Sequence, residues 1–162
     1  DNLLYLELGP GYSIPAHYHT LYTETFKILD GHLPGLYGDR KVTAKSGDEV
    51  VIHPRTVHGW GPLVEGEVRA LVEIRHAHEG FEKWVIMMRD AWADGALKPN
   101  LAPRSFVAMC LAGVEMDTRA AGRDRIFNPI IKVVAWFARK AGVERRLEAK
   151  YYRPSTGDVV AA

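Results

Sequence analysis

The sequence predicts a β-rich fold, in which an all-β barrel over residues 1–78 is followed by an α-helical extension over residues 79–162. Before His78, short runs alternate between apolar and polar residues with a period of two. Turn residues separate these runs about every ten residues, which is typical of an antiparallel sandwich or barrel. After His78, apolar residues recur at helical spacing instead.

The strand signal is clearest in two runs. Val68–Ile74 and Thr23–Leu29 both alternate, as a strand with one buried face should. Asp30-Gly31 and Ser46-Gly47-Asp48 are turn sequences between runs of this kind.

About three helices are predicted after the barrel. The first presents one apolar stripe, formed by Phe81, Trp84, Val85, Met88 and Trp92. The second covers Ser105 to Met116. Helices this short rarely stand alone, so we expect them to pack on the barrel or across a dimer interface.

The third predicted helix has the best-marked ends. Asn128 is placed to cap it, Pro129 suits its first position, and Gly142 can end it. Its predicted inward stripe consists of Ile130, Val133, Val134 and Phe137.

Composition and charge exclude several classes of protein. The formal net charge is +1, which gives no reason to expect a nucleic-acid partner. No apolar run approaches transmembrane length, so we expect no membrane partner. Cys110 is the single cysteine and no secretory signal opens the sequence, so we expect a reducing, cytoplasmic setting.

Four residues carry the strongest chemical signal. His17 and His19 are two residues apart, so on a strand both imidazoles share one face. Glu24 follows on the next strand among apolar neighbours, where a carboxylate is costly unless it is paired or binds a cation. His58 comes later, at the start of another strand. Three imidazoles and one carboxylate suit Fe(II), Mn, Ni, Zn or Cu.

These residues resemble the two motifs of the cupin superfamily. The first motif is matched by Gly11, His17, His19, Glu24 and Gly31, and the second by Gly47, Asp48, Pro54 and His58. The sequence departs from the usual second motif at turns: Pro54 is one place late, Arg55 stands where glycine is frequent, and Pro62 replaces an asparagine. The resemblance covers residues 3–76.

The resemblance implies a double-stranded β-helix, the cupin jelly-roll barrel, with one divalent metal ion held by His17, His19, Glu24 and His58. Cupins include dioxygenases, decarboxylases, isomerases, lyases, cyclases and proteins that only bind a ligand. The fold alone therefore does not identify the reaction.

Five further residues are candidates near this site. Tyr22 is expected to point inward as a proton donor, although it also suits a core aromatic. Arg55 could clamp an anionic substrate, although a solvated loop arginine is the favoured interpretation. Phe26, Trp60 and His53 are the predicted substrate-pocket residues. Tyr22 and Arg55 are therefore the predicted catalytic residues.

We expect a metal-dependent enzyme that acts on a small, hydrophobic organic molecule. Oxygenase-type chemistry with Fe(II) is favoured slightly. One alternative is a Lewis-acid isomerase, lyase or cyclase with a non-redox metal. The other is a cupin that binds a small ligand without catalysis. A homodimer is expected, because pairing through edge strands hides those edges.

Overall fold

The computed structural model describes residues 2–76, 79–98 and 100–153, together with the backbone of Val160–Ala161. The chain divides into two compact units, one of residues 1–77 with 159–162 and the other of residues 78–158. They are called the β-unit and the helical unit below. The boundary residue of the predicted division, His78, lies outside the described residues.

The β-unit is built from short strands joined by turns. They are β1 (Asn2–Leu8), β2 (Ile14–Tyr18), β3 (Thr23–Asp30), β4 (His32–Tyr37), β5 (Arg40–Lys45), β6 (Glu49–Ile52), β7 (His58–Trp60) and β8 (Val68–Arg75). A further two-residue strand, β10 (Val160–Ala161), pairs in parallel with β1.

The strands form two sheets, and the chain crosses between them after every strand from β1 to β8 except β4, which is followed by β5 in the same sheet. The first sheet has the order β10-β1-β8-β3-β6, and within the β-unit the second has the order β5-β4-β7-β2. Apart from the β1–β10 pair, the neighbouring strands in these orders are antiparallel. Because the other successive strands from β1 to β8 cross between the two sheets, the β-unit is a double-stranded β-helix, and the predicted fold class is confirmed.

The core of the β-unit follows from the alternation in the sequence. On β8, Val68, Ala70, Val72 and Ile74 are buried, and the residues between them are half-buried or exposed. Phe26 and Ile28 on β3 are buried in the same way. Burying each large apolar side chain of this kind contributes about 1.5–3 kcal/mol.

The helical unit contains more helix than the sequence predicted. Its elements are α1 (Glu79–Ala93), α2 (Phe106–Glu115), the two-residue strand β9 (Arg119–Ala120), a 3-10 helix (Gly122–Phe127), α3 (Asn128–Lys140) and α4 (Val143–Tyr151). The three predicted helices are present, and α4 is additional. The sequence pattern that would predict α4 is weak, because only Val143, Leu147 and Tyr151 mark an inward face. No helix of the described residues is long and apolar enough to cross a membrane.

The predicted inward face of α3 is wrong at three of its four residues, and the fourth, Val134, is half-buried. Ile130, Val133 and Phe137 are 51%, 55% and 61% exposed, whereas Ala135 and Ala138 are buried. The helix packs through its small residues because they allow the backbones of α2 and α3 to approach closely. At that contact, a Cβ atom placed on Gly113 would lie 3.8 Å from the side chain of Ile131.

Asn128 also differs from its prediction as the helix cap. It is the first residue of α3 and has helical backbone angles, so it cannot act as the residue before the helix. Its side-chain amide instead brackets the backbone of Ala120, accepting from the N–H at 3.0 Å and donating to the carbonyl at 3.1 Å. Gly142 does follow the end of α3, with the left-handed φ of 70° that favours glycine there.

The indole of Trp60 lies against β4 at Gly35. A Cβ atom on Gly35 would lie 2.5 Å from Cε3 of Trp60 and 2.5 Å from the carbonyl oxygen of Gly59. No such approach is tolerated in a packed interior. Gly35 therefore sets the position of Trp60 on β7, the strand that begins at His58.

We predict that Gly35→Ala destabilises the β-unit by about 1–3 kcal/mol, because either the indole or β7 must move. Urea unfolding followed by tryptophan fluorescence measures the change. Gly9→Ala is the matched control, since nothing lies within 4 Å of its added Cβ and its φ is not positive. A Gly35→Ala midpoint equal to that of Gly9→Ala would contradict this packing account.

Candidate metal centre

Three histidines converge on one point of the second sheet. His17 on β2 is the direct cross-strand partner of His58 on β7, and their ring centroids are 4.2 Å apart. His19 follows just after β2, and its ring centroid is 4.8 Å from that of His17 and 5.1 Å from that of His58. All three are buried, and one ring nitrogen from each lies within 4.8 Å of the others.

Glu24 reaches this cluster from the other sheet. It lies on β3, where it pairs with Ile52 and Ile74. Its Oε2 is 3.1 Å from Nε2 of His58 and 3.5 Å from Nε2 of His19. The structure thus brings together all four predicted ligands, with nitrogen atoms from one sheet and a carboxylate from the other.

Each histidine is held from outside the cluster through Nδ1. The Nδ1 of His17 lies 2.8 Å from the carbonyl oxygen of Pro15, and that of His58 lies 3.1 Å from the carbonyl oxygen of Thr56. A carbonyl only accepts, so both Nδ1 atoms carry the proton.

His19 is held by a side chain instead of a carbonyl. Its Nδ1 lies 2.6 Å from the hydroxyl of Tyr22, which can accept a hydrogen bond from that nitrogen. With Nδ1 of all three rings used in this way, Nε2 is left as the nitrogen for a metal.

Burial sets the charges in the cluster. Burial, with His58 and His19 nearby, lowers the pKa of His17 to about 3, so this ring is neutral near pH 7. Burial raises the pKa of Glu24, but its interactions with His19 and His58 outweigh that effect and hold the pKa well below its ordinary value. An ionised Glu24 carboxylate and a neutral His17 imidazole are two ligands in the protonation state that a divalent cation needs.

Two nitrogen atoms test whether a cation fits. The Nε2 of His19 is buried and has no hydrogen-bond partner among the described residues. His58 faces an oxygen at both ring nitrogens, the Thr56 carbonyl and the Glu24 carboxylate. One cation beside Nε2 of both rings would satisfy these atoms together. Three imidazoles and one carboxylate fit a divalent transition metal.

Tyr22, Phe26 and Trp60 surround this cluster in the β-unit. Tyr22 is buried, its hydroxyl orients His19, and its ring stacks on the His19 ring at a centroid distance of 4.3 Å. Phe26 lies two residues after Glu24, and its ring is 4.9 Å from that of Trp60. Trp60 is buried with an indole N–H that has no partner among the described residues.

Tyr12 is a site residue that sequence reasoning missed. It is buried, and its hydroxyl finds no hydrogen-bond partner within the described ranges. Burial and the negative charge of Glu24 raise its pKa above the ordinary value, so the hydroxyl keeps its proton. Strict alternation along the strand from His17 would place Tyr12 on the opposite face. However, the pairing of β2 shifts register between Ile14 and His17. That irregularity breaks the alternation, and its position has no clear signal in the sequence.

Arg55 and His53 are not brought to the cluster. Both side chains are exposed, in the turn that follows β6. Arg55 instead acts through its backbone, since its N–H donates to the carbonyl of His19 at 2.5 Å. Its φ is 68°, which explains why glycine is frequent at this point of the motif that the sequence resembles. Their predicted roles in catalysis and in the substrate pocket stay predictions.

We predict that His19→Ala and His58→Ala each abolish stoichiometric binding of a divalent metal, because each removes one of few ligands. Glu24→Gln should weaken binding and leave the barrel folded. Elemental analysis after dialysis against metal measures the loss, with the exposed His32→Ala as the control. A full metal equivalent in either His19→Ala or His58→Ala would show that the ligand assignment is wrong.

We predict that Tyr22→Phe lowers metal affinity roughly 10- to 100-fold, because the His19 ring loses the hydroxyl that orients it. Tyr37→Phe is the control, since it removes a hydroxyl that bonds the Val51 carbonyl at 3.2 Å. Competition with a chromogenic chelator gives both affinities. Equal affinities in the two variants would mean that Tyr22 serves only as core packing.

No family model and no curated protein match the chain. Among solved structures, it is similar to a predicted oxalate decarboxylase from Thermotoga maritima, with 24% identity over 44% of this chain and 62% of that one, at a TM-score of 0.40. A Klebsiella pneumoniae protein with a double-stranded β-helix domain matches at 20% identity over 46% and 62% of the two chains, with a TM-score of 0.42. A cupin protein from Bacteroides fragilis matches at 20% identity over 48% and 66%, also with a TM-score of 0.42.

The chain thus spans less than two thirds of each of these structures. Its own features carry the assignment of the fold. The strand order, the motif spacing and the buried histidine cluster identify the β-unit as a cupin-type double-stranded β-helix with a candidate metal centre.

Proposed function

We propose that this protein is a metal-dependent enzyme that acts on a small, apolar organic molecule. One divalent transition metal is held by His17, His19, Glu24 and His58, and Fe(II) is the favoured ion. The observation that carries the proposal is the arrangement of the three histidines, whose Nδ1 atoms are all engaged outside the cluster. Side chains that served only as polar lining would not need this shared orientation.

The bound metal would supply either activation of dioxygen or Lewis-acid polarisation of a substrate oxygen. The other groups are contributed by the chain itself. Tyr12 keeps its proton and offers a buried hydroxyl beside Glu24, suited to donate a hydrogen bond to a substrate oxygen. The indole N–H of Trp60 is a second donor without a partner in the described part of the chain.

The substrate class follows from the residues around the cluster. Phe26 and Trp60 form an apolar aromatic pair near Glu24 and His58. A wall of this kind excludes water and favours a hydrophobic molecule over a sugar or a nucleotide. The two unpartnered donors favour a molecule that carries at least one oxygen.

Oxygenase chemistry is placed slightly ahead of the alternatives. A nitrogen-rich ligand set with one carboxylate suits Fe(II), and an apolar surrounding suits a reaction in which water competes. The second candidate is a Lewis-acid isomerase, lyase or cyclase, favoured by the protonated hydroxyl of Tyr12. The third is a cupin that binds a small ligand without converting it.

A homodimer is part of the same proposal. Within the β-unit, β6 ends the first sheet and β5 ends the second, and open edges of this kind invite pairing. Size-exclusion chromatography with light scattering tests this point independently of the metal.

The function is tested by metal analysis followed by reconstitution. The protein is purified without added metal or chelator, stripped, and reloaded separately with Fe, Mn, Ni, Zn or Cu. Each form is then assayed with small aromatic and aliphatic oxygen-containing compounds, with and without dioxygen. We expect iron to restore an activity that consumes dioxygen, and Tyr12→Phe to reduce that activity while metal content is unchanged.

Other outcomes separate the alternatives. Activity with zinc under anaerobic conditions would contradict the oxygenase proposal and favour the Lewis-acid candidate. Stoichiometric metal and saturable ligand binding without turnover would favour the binding protein. No metal as purified and none taken up on titration would overturn all the metal-dependent candidates.

A further inference from the structure

The helical unit contains a cavity of about 260 Å³ that is made entirely by its own residues. Helices α1, α2 and α4, with the segment that precedes α2, line it, and it is partly open to solvent. Its apolar lining includes Trp84, Met87, Ala91, Leu97, Ala108 and Leu147. Nothing in the proposed metal chemistry uses this cavity.

The size and lining of the cavity suit an apolar group. An apolar cavity of roughly 150 Å³ can hold benzene, so this one has room for a ring or a short alkyl chain. Met87 and Met88 line the space with unbranched, adaptable side chains, which can adjust to the shape of a ligand.

One residue of the cavity lining has a positively charged side chain. Arg104 is exposed and lines the cavity, so it stands where the space meets solvent. Its backbone N–H donates to the carbonyl of Ala96 at 2.9 Å, and its Nε donates to the carbonyl of Gly95 at 3.1 Å. These bonds fix the side chain at the rim, and no carboxylate of the described residues pairs with its guanidinium.

The cavity wall also contains a buried hydrogen-bond donor that has no partner among the described residues. The indole Nε1 of Trp84 is buried and has no acceptor within the described parts of the chain. Two hydroxyl groups of the lining are already engaged: that of Tyr151 donates to Asp94 at 2.8 Å, and that of Ser105 accepts from the N–H of Ala108 at 3.3 Å. Asp94 also pairs with Lys150. The cavity therefore offers donors and no free anion, which selects against a cationic ligand.

We propose that the helical unit is a second binding site, which takes a monocarboxylic acid with a short apolar tail. The tail fills the cavity, and the carboxylate pairs with the guanidinium of Arg104 at the rim. An arginine whose fork is not used by another carboxylate is the side chain best suited to that group.

The probe for this site is octanoate, with 1-octanol as the neutral ligand of the same chain length. Both are titrated by calorimetry into the full chain in the presence of EDTA, which removes metal-dependent binding to the barrel. We expect octanoate to bind more tightly than 1-octanol. Arg104→Gln should weaken octanoate roughly tenfold or more and leave 1-octanol unchanged.

Two further variants complete the test. Arg125→Gln is the matched control, because Arg125 is an exposed arginine of the helical unit that does not line the cavity. Ala108→Leu should abolish binding of both ligands by filling the space, and Ala91→Leu repeats this from α1 if the first variant does not fold. No octanoate binding by the unmodified chain, or equal effects of Arg104→Gln and Arg125→Gln, would overturn the proposal.

Discussion

The β-unit depends on one electrostatic constraint, the placement of the Glu24 carboxylate among three buried imidazoles. An anion in this position is costly unless positive charge faces it. The interactions with His19 and His58 keep the Glu24 carboxyl ionised in spite of its burial, whereas burial keeps His17 neutral. A divalent cation at the Nε2 atoms would place further positive charge beside the carboxylate. We therefore expect the stability of the cluster to be coupled to metal binding.

The rest of the barrel positions this cluster. The cross-strand pairing of β2 and β7 places His17 opposite His58, and the turn at Arg55 holds the backbone of His19. Tyr22 and two carbonyl groups then fix the orientation of the rings. Gly35 leaves room for Trp60, two residues after His58, to lie flat against β4. Mutations far from the ligands are thus expected to act on the metal through these supports.

The residues of the candidate metal centre could be predicted from sequence because their signal is local. Alternation along β2 puts His17 and His19 on one face, and motif spacing adds Glu24 and His58. Tyr12 could not be found in this way, because the register shift in β2 depends on how two strands pair. The predicted inward stripe of α3 was in error for a related reason. The periodicity correctly predicted an amphipathic helix. The face that packs is the one that carries Ala135 and Ala138, whose small size permits close approach to α2. The cavity of the helical unit could not be predicted either. A cavity depends on how side chains pack in three dimensions, and the pattern of residue types along a sequence does not show this.

The most direct measurement is long-range ¹H–¹⁵N NMR of the histidine rings, recorded without metal and with one equivalent of Zn²⁺. The ligand assignment predicts that all three rings shift at Nε2 when the metal binds and carry the proton on Nδ1 in the metal-bound form. The four other histidines of the chain should not shift. Metal-induced shifts at Nδ1, or in fewer than three rings, would contradict the cluster. Unchanged spectra would show that these histidines are not a metal centre.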